Sequence, residues 1–355
     1  MNRHVLFTFD YELFLGDRSG HVDACLLDPT RRLLELLGEF GFKGVFFIDT
    51  VYLLRLREMA ARHPRAAADW ESLQQQLTVM VRQGHYVFPH VHAHWIDAVY
   101  LPDVNEWSLK NKRYYRFSAL PREQQAELFG QSVGLVRSVV GGAGAGGGVS
   151  GSGEPGDVGA PPVDAYRAGG WSIQPFGDFR RLFLEYGITQ EWSVIPGRYY
   201  LSDAQRYDFR TAPAGRPVYR FYEDPCQEDP SGPFIEFTIS TLPLTGFEKW
   251  IDFKVNGILH RLGKGRVYKG STVDSVLEDE GDVLAPAGRV RGIASFEGLN
   301  RFTLQKYLGL IRKGSYFQFI SHPKLITELE LGMIRRLFRA LKKMGDVDTD
   351  HRNLL

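Results

Sequence analysis

The chain has 355 residues, 43% of them hydrophobic, enough to bury one barrel-sized core. Its 43 basic and 42 acidic residues leave a formal charge of +1, which excludes a broad field for nucleic acid or an anionic membrane and points to a small or neutral partner. Cys25 and Cys226 are too few and too far apart to staple a secreted domain, no uncharged apolar run approaches the roughly 18 residues of a membrane span, and MNR leads straight into an apolar run with no signal region, so a cytoplasmic location without a membrane span is expected.

In chain order, HVLFTF at 4–9 predicts a buried strand. The segment 28–41, with Asp28 as cap, Pro29 in the first turn and Gly41 as stop, predicts a helix. KGVFFID at 43–49 predicts the next strand, and helical patterns follow at 51–63 and 66–83. A strand near 85–89, a helix over 121–139, a strand at 164–168 and a helix at 176–186 continue the alternation, and a helix at 300–312, a strand at 316–321 and an amphipathic segment at 325–343 close it. Repeated strand-helix units imply parallel strands covered by helices, hence a single α/β barrel over 1–355 with reactive groups at the carboxyl ends of strands. Two stretches break the rhythm. The Gly-rich segment 141–162 reads as a flexible loop, and 203–295, rich in Pro, Gly and aromatics, reads as an inserted β-rich flap.

Unusual polar residues fall where strands should end. Asp10 terminates the first run and Glu12 follows two positions later, so an extended backbone sends both carboxylates to one side. The strand at 85–89 runs into PHVHAHW, which presents His90, His92 and His94. A helical turn would put His90 and His94 on one face with His92 turned away, whereas an extended backbone would align all three. Imidazoles with a carboxylate are the ligand set of an open zinc-type site, where the ion acidifies water and polarises a carbonyl, the chemistry of amide or ester hydrolysis. A carboxylate outside the metal shell, Asp10, suits a general base; His322, at the end of the last strand, suits a general acid; Arg167, followed by two glycines, could keep Asp10 ionised.

Five ordered segments, FTFDYE at 7–12, KGVFFID at 43–49, GHYVFPHVHAHW at 84–95, YRAGGW at 166–171 and FISHP at 319–323, resemble the polysaccharide deacetylases of the NodB-homology type, carbohydrate esterase family four. The resemblance implies a distorted barrel of about seven βα units that hydrolyses N-acetyl groups with one divalent metal, zinc first, with cobalt or nickel as alternatives. It implies Asp10 as general base, His90 and His94 as the metal pair, Arg167 as the partner of Asp10 and His322 as general acid. The opening motif departs from the usual adjacent acids, with Tyr11 in the second place, so Glu12 becomes the third ligand. The backbone N–H of Gly170 or Trp171 is the implied oxyanion donor, Trp171 could stack on a sugar ring, and Tyr11 and Asp208 join the substrate side, Asp208 as a possible partner for His322. The expected partner is an N-acetylated sugar in a polysaccharide or its cytoplasmic precursor. The competing readings are a non-sugar amidase or deformylase on the same fold and a catalytically inactive glycan-binding protein.

Overall fold

The first apolar run folds as the strand Arg3–Tyr11 (β1), with every residue from Val5 onward buried. It is the centre of a computed structural model that describes residues 2–111, 113–145, 161–261, 277–285 and 289–355. The other strands of the main sheet are Gly44–Asp49 (β2), Tyr86–Val91 (β3), Ala165–Ala168 (β4), Gln190–Glu191 (β5), Val218–Phe221 (β6), Phe234–Phe237 (β7), Tyr316–Ser321 (β8) and Val347–Asp348 (β9). Their spatial order is β6-β7-β5-β4-β3-β2-β1-β8, with β9 also on β1. All pairings are parallel except β6 with β7.

This sheet is curled into a half-barrel. Three strand steps separate β4 from β1, about 14 Å in a flat sheet and beyond one side chain's reach. Yet Arg167 on β4 bonds Asp10 on β1 at 2.6 Å, so the inner face is concave. Irregular chain after β7 lies against the edge strand β8: Gln318 N donates to Ser240 Oγ at 3.0 Å, Ala294 N to Ser240 O at 2.9 Å and Ile320 N to Ala294 O at 2.9 Å.

Helices Asp28–Phe40 (α1), Thr50–Ala60 (α2), Pro64–Arg82 (α3), Arg122–Ala145 (α4), Phe176–Tyr186 (α5), Gly246–Arg261 (α6), Arg301–Lys313 (α7) and Glu328–Met344 (α8) flank the strands. In α1, Leu33, Leu34, Leu36 and Leu37 form the buried stripe, and Gly41 ends the helix at φ 59°, a conformation that costs a side-chain-bearing residue more than glycine. Asp28 does not cap α1 as expected. The chain is already helical from Asp23 through a wide turn, and the Asp28 carboxylate instead pairs with Arg31 and Arg32. Asn300 caps α7 by accepting from Phe302 N at 2.9 Å and Thr303 N at 3.2 Å. The barrel floor is closed by the C-terminal turn His351–Leu354, whose fully buried imidazole sits among Tyr86, Phe88, Trp192 and Phe237.

The expected flap at 203–295 is partly wall. Its segments Val218–Phe221 and Phe234–Phe237 are main-sheet strands, because Phe234, Glu236 and Phe237 are buried on the sheet. Among its other described residues, Arg206–Asp208 and Leu277–Asp282 pair antiparallel with the preceding Arg198–Ser202, Thr241–Thr245 pairs antiparallel with Arg289–Ile293, and Gly246–Arg261 is α6. Of the expected loop at 141–162, residues up to Ala145 complete α4, and 146–160 lie outside the described residues. Among the described residues no helix is long and apolar enough to cross a membrane.

Candidate active site

Strand register assembles the site before any side chain is considered. Phe9 pairs with Ser321, so Asp10 and His322 follow at the same level of neighbouring strands. Asp49 pairs with His90, and His90 with Arg167, which aligns those three along the carboxyl edge of the sheet. Strand alternation then turns Asp10 and Glu12 to the inside and Tyr11 to the outside. Tyr11 is buried and donates to Gln76 Oε1 of α3 at 2.7 Å, so the expectation that it lines the substrate side fails on the pleat of its own strand.

Asp10 is held by Arg167, which is itself fully buried and engaged at all three nitrogens: Nη1 donates to Asp10 Oδ1 at 2.6 Å, Nη2 to Thr8 Oγ1 at 2.9 Å and Nε to the Trp192 carbonyl at 3.0 Å. Burial alone would raise the Asp10 carboxyl, but Arg167, with His90 and His322, outweighs it and keeps the group below the ordinary carboxylate value. It is therefore an ionised acceptor at neutral pH.

The buried ligand atoms of Glu12, His90 and His92 lie within 4.8 Å of one another. His92 Nε2 is 2.6 Å and His90 Nε2 3.4 Å from Glu12 Oε2, yet that oxygen has no aligned hydrogen-bond donor. A buried carboxylate oxygen flanked by two imidazole nitrogens could hold a shared cation. Two ligands of one tetrahedral zinc stand about 3.3 Å apart, so the His90 spacing already fits and the His92 spacing needs a small opening. His90 Nδ1 meets the Arg167 carbonyl at 2.8 Å, which can only accept, so Nδ1 carries a proton and the neutral imidazole would turn the Nε2 lone pair toward Glu12. For Glu12, burial is outweighed by Lys324 and His92, and the carboxyl falls well below its ordinary value.

His94, the residue the resemblance pairs with His90, lies outside this group of three. The backbone stays extended through His92, at φ −105° and ψ 91°, and only then enters the tight turn Ala93–Asp97, so the helical spacing that would align His90 with His94 never forms. His94 stacks on Tyr115 at 5.1 Å between ring centres. The following Trp95 anchors the turn by donating Nε1 to Asp49 at 2.5 Å. Burial pushes the Asp49 carboxyl up to about 6.

His322 is the most accessible member of the cluster, with 24% of its side chain exposed against 4% for Asp10 and 6% for Glu12, so a substrate would meet it first. Its Nε2 lies 3.9 Å from Asp10 Oδ2 and 3.5 Å from Glu12 Oε1. Glu297, which sequence reasoning missed, accepts from the His322 backbone N at 2.8 Å and sits 2.7 Å from its Nδ1. Burial would lower this imidazole, but Glu297 more than compensates and its pKa is pushed up to about 9. Asp208, offered from sequence as the partner of His322, instead clamps Arg210 with bonds from Nε at 2.8 Å and Nη2 at 2.5 Å. Lys324 was also missed: its buried ammonium donates to Glu12 Oε1 at 2.9 Å and to the Leu13 carbonyl at 2.7 Å.

The glycines after Arg167 are explained by crowding. A Cβ on Gly169 would stand 2.4 Å from the Val91 carbonyl oxygen and 2.9 Å from His92 Nδ1. Gly170 and Trp171 both take left-handed backbone, φ 57° and 55°, and Trp171 meets Tyr207 edge to face at 5.9 Å.

No protein-family model matches the sequence, and a search of curated proteins returns no match. Solved structures are similar. A candidate polysaccharide deacetylase from Mycobacterium smegmatis aligns over 100% of this chain and 90% of its own at 14% identity and a TM-score of 0.49. A family 4 carbohydrate esterase from Streptomyces lividans, in complex with acetate, aligns over 98% and 92% at 12% identity and 0.40. The catalytic domain of a peptidoglycan N-acetylglucosamine deacetylase from Eubacterium rectale aligns over 99% and 89% at 10% identity and 0.37.

Proposed function

We propose that this chain is a metal-dependent hydrolase that cleaves the N-acetyl amide of an N-acetylhexosamine in a saccharide or its precursor. One observation carries the reading: the buried Glu12, His90 and His92 group opens beside an Arg167-clamped carboxylate and a Glu297-clamped imidazole. Glu12, His90 and His92 would hold the cation, zinc first and cobalt or nickel as alternatives. When bound, such an ion supplies Lewis acidity toward the amide carbonyl and makes water acidic at neutral pH.

The chain's own groups divide the proton work. Asp10, kept ionised by Arg167, accepts a proton from the attacking water. His322, whose Nδ1 is engaged by Glu297, donates its Nε2 proton to the departing nitrogen, so acetate and a free amine leave. Arg167 touches no reacting atom and is a positioning residue. The backbone N–H of Gly170 or Trp171 supplies the donor for the developing oxyanion, and the Trp171 ring, held against Tyr207, offers a flat surface for a sugar.

The test is acetate release from N-acetylglucosamine oligosaccharides by the zinc-loaded protein, with Asp10→Asn for comparison. A loss of about 100-fold or more is expected for removal of the base. An unchanged rate in Asp10→Asn contradicts the mechanism, and release of formate from formamides with no acetate from any sugar contradicts the substrate class.

A further inference from the structure

A formal charge near zero hides a local segregation on α6. The stripe Glu248, Ile251, Asp252 and Val255, spaced i, i+3, i+4 and i+7, is half-buried against the body. Both acids of the helix lie on that inner stripe and both are engaged: Glu248 pairs with Lys306 and accepts from Thr245 N at 2.8 Å, and Asp252 accepts from Asn300 Nδ2 at 2.6 Å. The outer face is inverted relative to an ordinary surface helix. Phe247 is 69% exposed, Trp250 54%, Phe253 71% and Ile258 56%, within an arc of about 140°. The exposed Lys249 flanks this arc and Lys254 lies in it, with its ammonium 5.7 Å from the Trp250 ring centre.

We infer that α6 is a docking element for an anionic lipid bilayer, lying in the plane of the headgroups with Phe247, Trp250, Phe253 and Ile258 inserted and Lys249 and Lys254 against lipid phosphates. The chemistry selects this occupant. Two large aromatic rings with a third beside them are a heavy load to leave in water, about 2 kcal/mol or more for each ring if buried. Lysine stems that cross apolar surface and end in charge match a headgroup layer, and the only acids of the helix among the described residues are turned inward, Glu248 paired with Lys306 and Asp252 held by Asn300. Asn300, which holds Asp252, lies three residues beyond Glu297, the partner of His322, so the docked face is joined to the wall of the candidate site. The inference stands independently of the proposed hydrolysis.

Flotation of the full chain with vesicles tests it, using phosphatidylcholine alone and phosphatidylcholine with phosphatidylglycerol. Binding to the anionic vesicles is expected to exceed binding to the neutral ones by about tenfold or more, and to weaken as salt shortens the screening length. Trp250→Glu with Phe253→Glu should abolish it, and Lys249→Glu with Lys254→Glu should remove the preference for anionic lipid. Since all four side chains are exposed, the melting temperature of each variant should equal that of the parent, which separates a docking defect from misfolding. The inference is overturned if the parent does not float, or if both variants float as well as the parent. It is also overturned if sedimentation of the lipid-free chain shows a dimer that the Trp250 and Phe253 changes dissociate, which would assign the face to a second copy.

Discussion

Replacing Arg167 with methionine isolates the electrostatic heart of the site. The guanidinium is fully buried and its bonds go to Asp10, Thr8 and the Trp192 carbonyl, so a chain of similar length without charge leaves Asp10 buried with only two imidazoles nearby. Breaking a buried pair in this way costs about 3–5 kcal/mol. For 355 residues the unfolding entropy is about 0.75 kcal/mol per kelvin, which converts that cost to a fall of about 4–7 °C in Tm. Asp10→Asn should cost a similar amount because it strands the arginine. The double variant removes both charges, so its loss should fall short of the sum by about 2 kcal/mol or more. Activity should behave differently, being lost in both single variants and not restored in the double. The assay is a double-mutant cycle by denaturation, run beside acetate release. Stability losses that add to within about 0.5 kcal/mol would mean that the two side chains do not depend on each other, and would refute the reasoning.

Acid should destabilise the fold through buried imidazoles. Burial pushes His85 down to about 4 and His351 to about 3, from an ordinary value of 6.5. Their folded-state values are depressed, so the unfolded chain binds more protons between pH 6.5 and 4 and stability must fall as pH drops through that window. His85 alone accounts for about 3 kcal/mol by its lower end. His85→Gln, which keeps an acceptor for the Gly44 N–H, should flatten the Tm against pH curve, and an unchanged slope would exclude His85 as its source. Tyr11→Phe should cost about 1 kcal/mol through the lost bond to Gln76 and leave kcat and KM as they are; a raised KM would return Tyr11 to the substrate side. Glu297→Gln should lower kcat by tenfold or more, about what removal of an acid's orienting partner costs, with folding intact by melting; a parent-like kcat would leave His322 without need of its partner.

Much of this was legible in the sequence, for reasons that can be named. Strand periodicity at 4–9 and 43–49, the Gly41 stop and the carboxyl-edge positions of Asp10, Glu12, His90, Arg167 and His322 are local properties, and parallel register carries them to one edge of the sheet. Tyr11 was equally readable, because the alternation that pairs Asp10 with Glu12 also turns it away. The choice between His92 and His94 was not, since it depends on whether the backbone leaves its extended form before or after His92. Glu297 and Lys324 carry no local signature. One comes from a segment that joins the site only when chain at 238–240 and 294–296 fills the gap beside β8, and the other from a turn whose lysine reads as an ordinary surface charge. The two wall strands inside the expected flap were hidden for a related reason: Phe234–Phe237 is too short for its period to reveal that it pairs with β5.

The most direct measurement is zinc titration by calorimetry of the parent, Glu12→Gln, His92→Ala and His94→Ala. One ion per chain is expected, with affinity reduced about 100-fold or more in Glu12→Gln and His92→Ala and held within a few-fold in His94→Ala. Parent-like zinc affinity in His92→Ala and Glu12→Gln would contradict the claim that these buried side chains share one cation.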